Sequence, residues 1–169
     1  LGARYGTTSC ALARATRNSG RVVVVEPDRL ALPYLLANRQ THRCNFHVVQ
    51  GVVGTRTLTF RSVATSATWD GYSGVALPLA TSLREQYRAR KRGDADVTTV
   101  AFREIEQRIG VRFDVALIDC EGCISTALSP PLARQLKMIL WEEDGSSPVE
   151  NRRWYARLVK YGFELLWRM

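Results

Sequence analysis

Short apolar runs alternate along the chain with longer segments in which apolar residues recur at helical spacing. Residues 22–25 and 113–118 are strongly apolar, and such runs are typical of strands buried in a parallel sheet. We expect strands over residues 21–25, 45–50, 57–61, 97–102, 113–118, 137–141 and 163–167. We expect helices over residues 7–18, 28–39, 104–109, 132–136 and 148–162, with one more through residues 79–87 that Gly93 ends.

This alternation of strand and helix predicts a single α/β domain over residues 1–169. We expect a doubly wound, mostly parallel sheet with helices on both faces, and ligands of such sheets bind outside the carboxyl ends of the strands. Residues 62–96 indicate an irregular, basic insertion. Residues 1–6 already have the composition of a loop with no strand before it, so we expect a fragment whose first strand is missing.

Two proline positions sharpen the helix boundaries. Pro33 lacks the N–H that a residue beyond the first helical turn must donate, so we expect its helix to begin later than Asp28. The last helix has a clear start, because Ser147, Pro148 and Glu150 have the order of a capping box with proline in the first helical position.

The composition is that of an ordinary globular domain. Hydrophobic residues make up 46% and charged residues 24% of the chain, and no apolar run approaches the ~20 residues of a membrane span. The net charge of +8 raises the question of an anionic partner. Arginine is spread along the whole chain, however, and the basic run at residues 88–92 suits a helix C-terminus better than a phosphate or RNA contact.

The cysteines open two further alternatives. Cys120 and Cys123 have the spacing of a thioredoxin-like redox motif, but nothing else in the chain favours that fold. A zinc site would need two more ligands and has no second Cys-x-x-Cys to supply them, so we predict no metal. Four cysteines without a signal peptide fit a reducing compartment, which predicts a cytoplasmic protein.

A glycine loop followed by an acid gives the first chemical signal. Gly2 and Gly6 flank a short loop before a helix, where the backbone turns tightly and the helix N-terminus favours an anionic group. Glu26 follows a buried strand about 20 residues later, at the position where an acid accepts the hydroxyl groups of a ribose. Nicotinamide-dependent and S-adenosylmethionine-dependent enzymes both fit this pair.

Two further carboxylates follow the strand at residues 113–118. Asp119 and Glu121 lie at its carboxyl end, where they could position a substrate or act as a general base. A structural role is compatible with this, because Asp119 also suits a helix cap and Glu121 a first helical turn.

Taken in order, these segments resemble the FkbM-type methyltransferases, a branch of the class I S-adenosylmethionine-dependent enzymes with a Rossmann-like fold. The matching segments are Leu1-Gly2-Ala3-Arg4-Tyr5-Gly6, Glu26-Pro27-Asp28, Leu35 with Asn38, Val52-Val53-Gly54-Thr55, Ile118-Asp119-Cys120-Glu121-Gly122-Cys123, Ile139-Leu140-Trp141-Glu142 and Leu158-Val159-Lys160-Tyr161-Gly162-Phe163. The chain departs from the family at Thr55, which replaces an acid, and at residues 101–104, which replace Thr-Leu-Asp-Asp.

The resemblance implies a role for each site residue. S-adenosylmethionine would bind over the cofactor residues, with the glycine loop under its methionine part, Glu26 on its ribose and Gly51 near its adenine. The implied cofactor residues are Gly2, Ala3, Gly6, Glu26, Pro27, Gly51, Val52 and Asp119. Asp119 or Glu121 would be the catalytic base or orienting group, and Glu142 would line the substrate crevice.

The predicted function is therefore S-adenosylmethionine-dependent O-methyl transfer to a hydroxyl of a small molecule or sugar. An RNA methyltransferase is the first alternative; nucleic acid is the less favoured partner, because no aromatic RNA-binding motif accompanies the basic run. A non-catalytic methyltransferase-like binding domain is the second. A nicotinamide-dependent oxidoreductase ranks below both, because Arg4 occupies the place of its second glycine.

Overall fold

The computed structural model describes residues 1–54, 58–63, 73–78, 95–120, 123–143 and 148–166. The helices are α1 (Thr7–Ala15), α2 (Leu32–Thr41), α3 (Phe102–Ile109), α4 (Ile124–Ala127), α5 (Pro130–Gln135) and α6 (Pro148–Lys160). The strands are β1 (Val22–Glu26), β2 (Phe46–Gln50), β3 (Val52–Val53), β4 (Leu58–Val63), β5 (Ser73–Pro78), β6 (Ala95–Val97), β7 (Thr99–Val100), β8 (Val115–Ile118) and β9 (Met138–Trp141).

Parallel pairing dominates the described strands. β1 pairs with β2, β3 with β7 and β8 with β9, each in parallel, and the last pair is in register from Val115 opposite Met138 to Ile118 opposite Trp141. A separate three-stranded antiparallel sheet has the order β5-β4-β6. The described part of the chain thus contains several small sheets, and one continuous doubly wound sheet stays a prediction.

The backbone of the first two residues lies between two of these pairs. The nitrogen of Leu1 donates to the carbonyl of Leu117 at 2.6 Å, and the N–H of Asp119 donates to the carbonyl of Leu1 at 3.2 Å. On the other side, the N–H of Gly2 donates to the carbonyl of Val25 at 3.1 Å. Leu1 and Gly2 therefore connect the carboxyl end of β1 to that of β8.

Helices cover both faces of the β1–β2 pair. Val24 and Phe46 pack with Leu35 of α2 and Ala13 of α1 on one face. The next residue of β1 points to the opposite face, as alternation in a strand requires, so Val25 packs there with β3, β7 and α3. This two-sided burial explains why residues 22–25 form an uninterrupted apolar run.

A third apolar cluster packs α4, α5 and α6 against β8. Trp154 and Leu158 lie one turn apart on α6 and are both buried, which is the stripe expected of an amphipathic helix. The hydroxyl of Ser129 caps α5 by accepting a hydrogen bond from the N–H of Leu132 at 3.4 Å. Among the described helices, none combines the length and the apolar character needed to cross a bilayer.

Most element positions are confirmed, and two boundaries have clear causes. α2 begins at Leu32 with Pro33 in its first turn, as the missing N–H of proline requires. α1 ends at Ala15 rather than at residue 18, because Arg17 and Asn18 adopt positive φ angles of 56° and 52° that no α-helix contains.

Three predictions are wrong. The insertion predicted at residues 62–96 is not irregular throughout, because β5 pairs antiparallel with β4. The strand at residues 97–102 is interrupted at Thr98, and Phe102 already belongs to α3. Residues 163–166 form no strand, since the N–H of Phe163 turns back to the carbonyl of Leu158 at 3.0 Å.

Other predictions fall outside the described residues. They are the helix through residues 79–87, the basic run at residues 88–92, the capping residue Ser147 and the final residue of the predicted strand, Trp167.

Truncation of Trp154 tests the third cluster. Trp154 is 1% exposed, and removing so large a buried side chain leaves a cavity, so Trp154→Ala is expected to lower the free energy of unfolding by about 3–5 kcal/mol. Val159→Ala on the exposed side of the same helix is the control and is expected to cost less than about 0.5 kcal/mol. Urea denaturation measures both; equal losses would contradict the packing described.

Candidate functional site

A small cavity lies where the carboxyl ends of β1, β2 and β8 meet. It has a volume of about 40 Å³, and its walls include Gly2, Pro27, Gly51 and Val52. All four are cofactor residues predicted from the sequence, and the fold brings them together from three separate segments. Cys120 and Cys123 complete the wall on the β8 side. The carboxyl ends of parallel strands are where ligands bind in α/β sheets.

Glu26 lies between two lining residues of this cavity, Val25 and Pro27, and is 5% exposed. One carboxylate oxygen accepts a hydrogen bond from the N–H of Arg4 at 2.6 Å, and the other accepts one from the N–H of Asp28 at 2.8 Å. Its carbonyl accepts a further bond from the N–H of Gly51 at 3.0 Å. Glu26 thus joins the glycine loop to the turn after β1 and to the end of β2.

Burial and hydrogen bonding shift the pKa of the Glu26 carboxyl in opposite directions. Removal from water raises the pKa of Glu26 above its ordinary value of 4.5, while the N–H groups of Asp28 and Arg4 lower it. Burial is the larger effect. Each carboxylate oxygen has a second lone pair beyond its backbone bond, so the chemical capacity to accept a ligand hydroxyl remains.

The loop formed by residues 2–6 is held by its neighbours. Ala3 accepts a hydrogen bond from the N–H of Gly6 at 2.8 Å, and Asn38 of α2 donates to the carbonyl of Tyr5 at 3.0 Å. Gly6 has a φ of 85° and packs so closely on Leu35 that a Cβ would lie 2.6 Å from its Cδ1 atom. Leu35 and Asn38, two residues that carry the family resemblance, therefore support the loop.

The backbone around position 51 also leaves no room for a side chain, so glycine is required there. Gly51 has a φ of 146°, and a Cβ at this position would overlap the carbonyl oxygen of Thr98. A glycine here lets β2 turn directly into β3 while the backbone passes close to the segment before β7.

The predicted catalytic residue Asp119 and the predicted substrate residue Glu142 are not lining residues of this cavity. Asp119 and Glu142 follow the adjacent strands β8 and β9, and both side chains are exposed. The N–H of Glu142 donates to the carbonyl of Ile118 at 2.8 Å, which places the two acids at the same edge. Glu121 lies outside the described residues, so its catalytic role stays a prediction.

A larger concavity of about 760 Å³ lies between α2 and β2, where Arg39, Arg43 and His47 are among its lining residues. It borders Phe46, the first residue of β2, whereas Gly51 follows the last. The two concavities therefore lie at opposite ends of one strand. Only the smaller one has the carboxyl-end position that is typical of ligand sites.

All four cysteines form disulfides, Cys10 with Cys44 and Cys120 with Cys123. This pairing removes the argument from which the sequence predicted a reducing compartment. Within the described ranges, no group of three His, Cys, Asp or Glu residues could hold a metal ion. The Cys-x-x-Cys spacing is visible in the sequence, but that both cysteines line the predicted cofactor site follows only from the fold.

Comparison of the chain with protein-family models, with curated proteins and with solved structures finds no match.

The raised pKa of Glu26 predicts a pH-dependent stability difference. A carboxyl with a higher pKa in the folded state than in the unfolded state contributes stability below its unfolded pKa, and this contribution is lost as pH rises through the folded value. The stability of the wild type relative to Glu26→Gln is therefore expected to fall as pH increases from 4.5 upward.

Urea unfolding of both proteins across this range measures the difference. Glu164→Gln, which removes an exposed carboxylate, is the matched control. If the free energy of unfolding of the wild type instead rose with pH relative to that of Glu26→Gln, the backbone hydrogen bonds would outweigh burial in setting the pKa of Glu26.

Proposed function

We propose that this chain is an S-adenosylmethionine-dependent methyltransferase that transfers the methyl group to a hydroxyl of a small molecule or sugar. The observation that carries the proposal is the convergence of Gly2, Pro27, Gly51 and Val52 on one cavity. Glu26 lies in the chain between two of its lining residues but is not itself one of them, and its carboxylate accepts hydrogen bonds from the N–H groups of Arg4 and Asp28. The family resemblance assigns these same four lining residues to the cofactor.

The residues present fit the chemistry of this cofactor. Glu26 has acceptor capacity for two ribose hydroxyls, and Val52 and Val53 provide an apolar wall for adenine. The cavity of about 40 Å³ is much smaller than the roughly 300–1,000 Å³ of typical ligand sites. Binding therefore requires the walls to move apart.

The bound cofactor supplies a methyl group that its sulfonium already activates. The chain has to hold the acceptor in line with that methyl and exclude water. In this proposal Glu26 accepts hydrogen bonds from the ribose hydroxyls and so holds the cofactor in place. Asp119 or Glu121 orients the acceptor hydroxyl and removes its proton. Glu142 lies at the same sheet edge as Asp119.

Calorimetric titration with S-adenosylhomocysteine tests the cofactor site. Glu26→Ala is expected to weaken binding at least about tenfold, because hydrogen bonds to a charged group contribute roughly 1.5–3 kcal/mol. Asp114→Ala is the matched control: Asp114 precedes β8, at the opposite end of that strand from Cys120, and its loss is expected to leave the affinity unchanged.

Two results would overturn this proposal. Folded Glu26→Ala with unchanged affinity would remove Glu26 from the site. Absence of binding by the folded wild type in reducing buffer would favour the non-catalytic binding domain.

Separate variants identify the residue that acts on the acceptor. Glu121→Gln is expected to retain S-adenosylhomocysteine affinity, whereas Asp119→Asn is expected to weaken it because Asp119 is also an implied cofactor residue. The variant that removes the base is expected to lower turnover about 10²–10⁴-fold. Methyl transfer to a panel of hydroxylated small molecules and sugars is the measurement. Equal turnover in both variants and the wild type would exclude a carboxylate base at these positions.

A further inference from the structure

The Cys120–Cys123 pair has a geometry that persists without its covalent bond. Cys120 is the second residue after β8, and Cys123 directly precedes α4. Their Cα atoms are 5.5 Å apart. The N–H of Cys123 donates to the carbonyl of Cys120 at 3.0 Å. Because this backbone hydrogen bond holds the two residues within disulfide distance, the bond between their sulfur atoms can open and close without unfolding.

Both cysteines belong to the wall of the proposed cofactor cavity. They are half-buried and face the same space as Gly2 and Gly51. A change in the covalent state of the pair therefore changes a surface that the cofactor would contact.

The second disulfide provides a contrast within the same chain. Cys10 and Cys44 are only 8% and 5% exposed and belong to the apolar cluster between α1, α2 and β1. Access is one of the factors that control thiol–disulfide exchange. Small thiols and disulfides therefore reach the Cys120–Cys123 pair more readily than the buried pair.

We propose that Cys120 and Cys123 form a reversible redox site on the wall of the cofactor cavity, and that their disulfide form excludes the cofactor. This inference rests on the proposed methyltransferase function. The disulfide form has a cavity of about 40 Å³. Breaking the bond lets the two sulfur atoms separate from about 2.05 Å to non-bonded contact, so the side chains of Cys120 and Cys123 can rotate away from the cavity while the backbone hydrogen bond between them is kept. The reduced dithiol is thus the binding form.

The oxidant is a low-molecular-weight disulfide such as oxidised glutathione. The thiolate of one cysteine attacks a sulfur of this disulfide, forming a mixed disulfide and releasing one small thiol. The second cysteine then attacks the mixed disulfide, forming the Cys120–Cys123 bond and releasing the other small thiol. The protein loses two electrons, the small disulfide gains them, and the two cysteine protons end on the two released thiols.

The first experiment tests the redox site without reference to any cofactor. Native protein is equilibrated in glutathione buffers of increasing oxidised fraction, free thiols are alkylated, and mass spectrometry assigns them. We expect Cys120 and Cys123 to pass together between alkylated and disulfide forms while Cys10 and Cys44 stay paired. Cys120 and Cys123 that remain paired, or that open only together with the buried pair, would overturn the proposal.

The second experiment tests exclusion of the cofactor. S-adenosylhomocysteine is titrated into the reduced and the oxidised wild type, and we expect at least about tenfold tighter binding to the reduced form. The Cys120→Ser/Cys123→Ser variant is expected to bind with one affinity in both buffers. Cys10→Ser/Cys44→Ser is the matched variant and is expected to keep the difference; if it does not fold, the first variant suffices.

The outcomes separate the two proposals. Equal binding to both forms of the wild type overturns redox exclusion and leaves the methyltransferase proposal standing. Absence of binding in either form, and in the Cys120→Ser/Cys123→Ser variant, overturns both the methyltransferase proposal and the exclusion of its cofactor.

Discussion

The backbone of Leu1 and Gly2 hydrogen-bonds to two strands at once, and the arrangement of the site depends on this. Leu1 pairs with β8 through Leu117 and Asp119, and Gly2 pairs with β1 through Val25. Without a shared neighbour, the carboxyl ends of β1 and β8 would have no main-chain connection in the described part of the structure. A side chain at position 2 would overlap the carbonyl oxygen of Asp119, so the close approach requires glycine.

Glu26 connects the end of β1 to the neighbouring loops by hydrogen bonds. Its carboxylate holds the N–H groups of Arg4 and Asp28, and its carbonyl holds Gly51. A buried carboxylate is costly unless hydrogen bonds compensate it. The raised pKa shows that the compensation by backbone donors is incomplete. Additional donors from a bound ligand would therefore find a group that still gains from accepting them.

The sequence predicted the elements whose signals are local. The apolar run of β1, the proline in the first turn of α2 and the stripe on α6 each depend on residues within a few positions. The failures involve distant pairing or local exceptions. β5 is stabilised by β4, ten or more residues away, and its Ser-Gly start has no strand signal of its own. The Gly162-Phe163 turn hydrogen-bonds back to α6, although Phe163 begins an apolar run.

Packing alone explains why some of the predicted site residues are present, and it does not explain others. Contacts with Asp119, Leu35 and Thr98 already require glycine at positions 2, 6 and 51, so these glycines are no independent sign of a ligand. Glu26 is different. Two neutral N–H groups could be satisfied by an uncharged acceptor, whereas the chain buries a carboxylate at the end of a strand, beside residues that line a cavity. Under the proposed function, a ligand with two adjacent hydroxyls would match the two oxygens of the Glu26 carboxylate, and this would give the buried carboxylate a role beyond packing.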